Sequence, residues 1–309
     1  MLNRFPNNSR VVFIGDSITA ANLSLQWIIR AYSRIPDTDG IRFFNCGVAG
    51  GTADFAATSY LADIKRYKPT HAVISFGIND SNRDALNMQR DAKRLGILTA
   101  AYDKYRVRLA ELVDILLEDG VDVTLCTPVP YDEYTPGENE PLPGGFALML
   151  GYAEYVRILA KEKGVTLYDQ HKILSTVMAD EAVFSPDRIH PTPHGYYVIA
   201  REILKAQGVE VGDEDDMPAC FSQWHGYVAR LRKVLATECM LVPRTGESFD
   251  SPADQKLIKM QALIDREGWG APVLESFCRD YMVDKPHEAE LYRLVDETYE
   301  DIVKALFKA

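Results

Sequence analysis

The stretch Val11-Val12-Phe13-Ile14-Gly15-Asp16-Ser17-Ile18 decides the fold. Its first four residues are apolar and mostly β-branched, a run long enough for a buried strand and too short for a helix. Gly15-Asp16 breaks that run, and the Ile18 to Ile35 segment behind it reads as a helix. A strand, a tight turn and a helix in that order open a βαβ unit. Similar runs recur at Ile41 to Asn45, Ala72 to Phe76, Val121 to Cys126 and Val165 to Tyr168, each followed by a longer amphipathic or mixed segment. The alternation lasts to about residue 207 and predicts an α/β fold with about five parallel strands and helices on both faces. Ligands of such sheets bind beyond the carboxyl ends of the strands, so the first residues after each strand are where chemistry belongs.

Near Gly208 the alternation stops, and Glu210-Val-Gly-Asp-Glu-Asp-Asp-Met-Pro218 is a charged, Pro/Gly-punctuated boundary. Two units are therefore expected, 1–209 and a helical C-terminal extension over 210–309. In the extension Leu291, Leu294, Val295, Ile302 and Leu306 fall at helical spacing, and Ser251-Pro252 reads as an N-cap followed by Pro at the first helical position. The extension holds 20 acidic and 12 basic residues and so carries -8 of the net charge of -11. It is expected to pack on the first unit; the competing reading makes it an assembly module, with homo-oligomers forming through its helices.

The chain has 309 residues, 47% hydrophobic and 26% charged, a composition that excludes disorder as its main state. With 45 acidic against 34 basic side chains, a nucleic-acid partner is not expected, because the excess charge repels phosphates. No apolar run is long enough for a membrane span, and Met1 to Arg10 leads into the first strand without an apolar leader, so a cytoplasmic location is expected. Cys46, Cys126, Cys220, Cys239 and Cys278 are odd in number and lack metal-ligand spacing; reduced, mostly buried thiols are expected.

Candidate chemistry sits after the strands. Ser17 lies on the first strand-to-helix turn, where a hydroxyl is exposed and a backbone N–H points out of a helix start; alternatively it only caps that helix. Gly50, in Asn45-Cys46-Gly47-Val48-Ala49-Gly50-Gly51-Thr52, offers a bare N–H or simply makes a tight turn. Asn79, in Gly77-Ile78-Asn79-Asp80, brings an amide to the same edge or caps the next helix. In Ser185-Pro186-Asp187-Arg188-Ile189-His190-Pro191, a carboxylate three residues before an imidazole orients it as a base or forms a surface ion pair. His190 and His194 are four apart, but no third ligand lies near, so no metal is expected. His71, His171, His225 and His287 are read as ordinary surface or satisfied histidines, and the aromatics around Trp224 and Trp269 as core.

Taken together, Gly15-Asp16-Ser17-Ile18, Gly50, Gly77-x-Asn79-Asp80 and Asp187-x-x-His190 resemble, in order and strand context, the four blocks of the GDSL/SGNH hydrolases over about residues 10 to 207. One departure is Ile18 where the family signature has Leu. The resemblance implies a flavodoxin-like sandwich with strand order 2-1-3-4-5 and a serine ester hydrolase working through an acyl-enzyme, without metal or organic cofactor. It assigns Ser17 as nucleophile, His190 as base and later acid, and Asp187 as the residue orienting His190. It assigns the oxyanion hole to the backbone N–H groups of Ser17 and Gly50 and the side-chain amide of Asn79.

The family's esters are varied, so the substrate must come from elsewhere. The insertions Ser81 to Arg94 and Pro130 to Leu150 follow strand ends and carry Arg83, Arg90, Arg94, Tyr131 and Tyr134. Such groups suit a small polar or carbohydrate substrate bearing short acyl esters, acetyl in the first place, better than a long chain. A thioesterase or lysophospholipase is the neighbouring expectation, and a catalytically silent ligand-binding or assembly protein is the expectation of another class.

Overall fold

The computed structural model describes residues 3–214 apart from 22, 39, 66, 137 and 138. The expected helical extension, with Trp224, Trp269, His225, His287 and three of the cysteines, lies almost wholly outside the described residues.

Five strands, β1 (Arg10–Gly15), β2 (Arg42–Gly47), β3 (His71–Ser75), β4 (Asp122–Cys126) and β5 (Thr166–Tyr168), form one parallel sheet in the order β2-β1-β3-β4-β5. Side chains alternate across the sheet, and both sides are covered, which is why the strands read as unbroken apolar runs. Val12, Ile14, Ile74 and Leu125 enter one core layer. Val11, Phe13, Phe43 and Val73 enter the other.

The first layer is roofed by α3 (Ala53–Phe55), which runs through a π-helical turn at Ala56–Tyr60 into α4 (Leu61–Lys65), by α5 (Ala92–Glu118) and by α6 (Gly145–Lys163). The second is roofed by α2 (Leu23–Ser33), α7 (Gln170–Val177) and α8 (Pro193–Ala206), with Ile28 and Tyr32 against the same core as Val198, Ile199 and Leu204. The expected helix from Ile18 to Ile35 is broken in two. A short α1 (Ser17–Ala20) lies against the end of β2, and α2 begins again at Leu23 to pack on α8. Gly47 permits the first contact, because a Cβ there would stand 2.3 Å from the Ala20 backbone nitrogen.

The α5 helix is 27 residues long, about 40 Å. Its first buried residue is Tyr105, and Tyr102 packs part-buried against the same core, so roughly 15 Å of it, from Ala92 to Tyr102, lies ahead of its core contacts at the end where β3 delivers the chain. Asp91 caps its start, accepting from the Arg94 N–H at 2.9 Å. Lys104 and Arg108 both pair with Asp54 and tie the helix to α3. Among the described residues no helix is long and apolar enough to cross a membrane.

Candidate active site

β1 ends at Gly15, in register with Gly47 on one side and Ser75 on the other, so the loops that follow the three strands leave the sheet side by side. Asp16, not Ser17, caps α1: its carboxylate accepts from the Ile18 N–H at 2.9 Å. Ser17 is the first helical residue, its hydroxyl free to face away from the helix. Its Oγ lies 2.7 Å from His190 Nε2.

His190 comes from the loop before α8, across 173 positions of chain. Its Nδ1 stands 2.5 Å from Asp187 Oδ2. Asp187 Oδ1 accepts from the backbone N–H groups of Ile189 at 3.1 Å and His190 at 3.0 Å, so one carboxylate folds the turn and orients the ring. Burial acts to raise the Asp187 pKa, but the His190 hydrogen bond and the two backbone N–H groups overcome it and hold the carboxyl below its usual value.

The Gly50 turn is tied to Ser17's strand by Val48 N–H to Gly15 O, 2.9 Å. Gly50 has φ +74°, and a Cβ on it would meet nothing within 4 Å: the space over its backbone is open. Asn79 Nδ2 donates to Gly51 O at 3.1 Å, leaving its second N–H for another acceptor. Asp80 Oδ1 accepts from the Ala53 N–H at 2.9 Å, a second strap between the β3 and β2 loops. Ser17, His190 and Asp187 are thus linked by hydrogen bonds at the carboxyl edge of the sheet, and the Gly50 turn and Asn79, joined through Gly51, lie in the loops that leave the same edge.

Several features have no counterpart in the sequence reading. Asp16 and Asp80 are buried carboxyls; burial, partly offset by backbone hydrogen bonds, pushes them up to about 6 and about 7 respectively. Asp80 Oδ2 is buried without a hydrogen-bond partner. The overrunning end of α5 walls a cleft of about 480 Å³ beside Asn79, lined also by Thr52, Asp80, Asn82, Ile97, Ala100 and Lys104. Of the two insertions, the first forms a 3-10 turn, Arg83–Asn87, and the second closes as the start of α6. The only hint of these was the Asp next to Asn79; helix overrun and side-chain burial leave no motif.

His190 and His194 do not share a site. His194 Nε2 lies 2.6 Å from Glu181 and its Nδ1 2.7 Å from Glu214. Among the described residues no group of three or more His, Cys, Asp or Glu side chains is placed to hold a metal ion. His171 corrects the expectation of an ordinary surface or satisfied histidine. It is 2% exposed, its Nε2 has no partner, and burial lowers its pKa to about 4, so it is neutral.

Residues 13–198 match the model of the GDSL-like lipase/acylhydrolase family. An acetylxylan esterase of Geobacillus stearothermophilus is 25% identical over 222 residues, 66% of this chain and 96% of that enzyme. A solved gut microbial diltiazem-metabolizing enzyme superposes with a TM-score of 0.58 at 25% identity; the alignment covers 67% of this chain but only 48% of that one, about half its length. An alpha/beta hydrolase enzyme from the metagenome of Lake Arreo, Spain, gives a TM-score of 0.54 at 26% identity over 66% of this chain and 97% of its own.

Proposed function

Because the chain belongs to the GDSL-like lipase/acylhydrolase family and is a carboxylic ester hydrolase, we propose that Ser17 is its nucleophile, His190 its base and acid, and Asp187 the residue that orients His190. The observation that carries this reading is the continuous path Ser17 Oγ, His190 Nε2, His190 Nδ1, Asp187 Oδ2, with steps of 2.7 and 2.5 Å between residues. His190 Nε2 takes the hydroxyl proton as Oγ adds to the ester carbonyl. The oxygen that becomes negative is received by the N–H groups of Ser17 and Gly50 and by the free N–H of Asn79. Each such donor is worth about 2.7–4 kcal/mol in the transition state. Collapse breaks the bond to the alcohol, which leaves with the proton from His190. Water, deprotonated by the same ring, then adds to the acyl-serine; collapse breaks the acyl–Oγ bond and releases the acid, and His190 returns the proton to Ser17 Oγ.

The substrate we propose is a short-chain, acetyl-type ester of a carbohydrate or similar polar molecule. An acetyl group needs little room, so a cleft of about 480 Å³ next to Asn79 serves the rest of the molecule. Thr52, Asn82 and Lys104 on its walls suit hydroxyl groups, while Ile97 and Ala100 offer a narrow apolar strip. The relative named for acetylxylan supports the same class.

The test is hydrolysis of 4-nitrophenyl esters from acetyl to long acyl by wild type and Ser17→Ala. Turnover is expected to fall steeply beyond butyryl, and the variant to lose roughly 10⁴- to 10⁶-fold in kcat with its circular dichroism unchanged. Undiminished turnover in Ser17→Ala overturns the mechanism; a preference for long chains moves the substrate to lipids or thioesters.

A further inference from the structure

Arg188 stands between Asp187 and His190 in sequence, yet its side chain faces the other way. The residue is 5% exposed. Its guanidinium reaches three carbonyls of the segment 132–139: Nη1 donates to Asp132 O at 3.0 Å and Thr135 O at 2.9 Å, and Nε and Nη2 donate to Asn139 O at 2.9 and 2.5 Å. Its own carbonyl accepts from the Asp132 N–H at 3.0 Å, and Asn139 Nδ2 donates to Pro186 O at 2.7 Å. The Ser185–His190 turn and the segment after β4 are therefore laced together around one side chain.

Two features make this more than loop packing. First, Arg188 has φ +71°, a left-handed conformation that costs a non-glycine residue about 1–3 kcal/mol and survives only where its surroundings impose it. Second, the groups it sits between are poorly packed: the His190 and Asp187 side chains are 36% and 46% exposed. Contact alone does not hold that imidazole, so its position depends on the backbone turn that carries it. A planar fork of donors is suited to gripping several fixed carbonyls at once, which a lysine cannot do.

We infer that Arg188 is a positioning residue: its guanidinium, anchored on the carbonyls of Asp132, Thr135 and Asn139, holds the Asp187–His190 turn at the place where His190 meets Ser17. The inference rests on the assignment of Ser17, His190 and Asp187 proposed above. Displacement of a reacting group by about 1 Å costs on the order of 100-fold in rate, so a turn freed from its anchor loses kcat while substrate binding persists.

The test is Arg188→Gly, which deletes the guanidinium but accepts the positive φ. Ser17 is titrated with a fluorophosphonate, and kcat is expressed per labelled site. We expect kcat to fall roughly 10- to 100-fold with KM within about twofold. By proton NMR the wild type is expected to show a strongly deshielded Nδ1 proton for the Asp187–His190 hydrogen bond, and the variant to show it broadened or absent. Millimolar guanidinium chloride is expected to restore part of both. Should Arg188→Gly fail to fold, Arg188→Lys receives the same measurements, with a smaller loss in kcat expected and no response to guanidinium. An unchanged kcat per labelled site and an unchanged proton resonance, in whichever variant folds, overturn the inference, whatever the melting temperature does. Failure of the fluorophosphonate to label Ser17 in the wild type would overturn the nucleophile assignment instead, independently of Arg188.

Discussion

Asp80 makes the stability of this protein depend on pH in a direction opposite to that of most carboxylates, and Asp80→Asn exposes it. Burial is the main reason its pKa rises from 3.8 to about 7; the Ala53 N–H lowers it, and neighbouring Asp16 adds repulsion. The folded value lies above the unfolded one, so folding favours the protonated form. That contribution is complete below the unfolded pKa of 3.8 and is lost as pH rises through about 7. Asparagine is neutral at every pH and its Oδ1 can keep the Ala53 contact; whatever else the extra amide hydrogens cost is independent of pH. The linkage relation then gives the variant an advantage that grows by about 2–3 kcal/mol between roughly pH 5 and pH 8. Urea unfolding of both proteins at those two pH values measures it, from midpoints and slopes. A stability difference that is the same at both would refute the idea that Asp80 is buried as an acid.

Two further outcomes are expected. Ala100→Trp places an indole in the cleft beside Asn79 from an exposed position on α5; on the proposed substrate class, KM for an acetylated sugar should rise about tenfold while 4-nitrophenyl acetate is affected less than about twofold. Equal effects on both esters would count against the cleft as the place of the sugar. The hydrogen bonds to Glu181 and Glu214 raise the His194 pKa, and both ring nitrogens can donate only in the imidazolium form. The folded pKa lies above the unfolded value, so this clamp is at full strength below about pH 6.5 and fades as pH rises through the raised value. His194→Gln should therefore cost more stability near pH 6 than near pH 9 by thermal unfolding, and a cost that does not vary with pH would contradict the double contact.

The sheet was legible because a parallel strand covered on both faces must be apolar throughout, and such runs as Val11 to Ile14 stand out from the helices around them. Boundaries and breaks were less so. Nothing in Ile18 to Ile35 announces that α1 and α2 are separate helices, because the break answers two packing partners, Gly47 and α8, that are distant in sequence. Ser17 could be singled out by residue type and by following a strand, Asp187 and His190 by residue type and spacing alone, since they lie in the loop between α7 and α8. Asp80 and Arg188 were not, although both lie inside quoted motifs, because what sets them apart is burial and a partner far along the chain. The same limit applies to His171, whose type says nothing of an enclosed ring whose Nε2 has no hydrogen-bond partner.

The distance in sequence between Ser17 and His190 also governs when the protein acquires its chemistry. Bringing the two together closes 173 positions of chain, an entropic cost of roughly 4–5 kcal/mol that only the docking of α8 on α2 and the completed sheet can offset. If Ser17 and His190 have the roles proposed for them, a chain emerging from the ribosome carries its nucleophile from the start but meets its base only once nearly the whole α/β unit has been synthesised and folded.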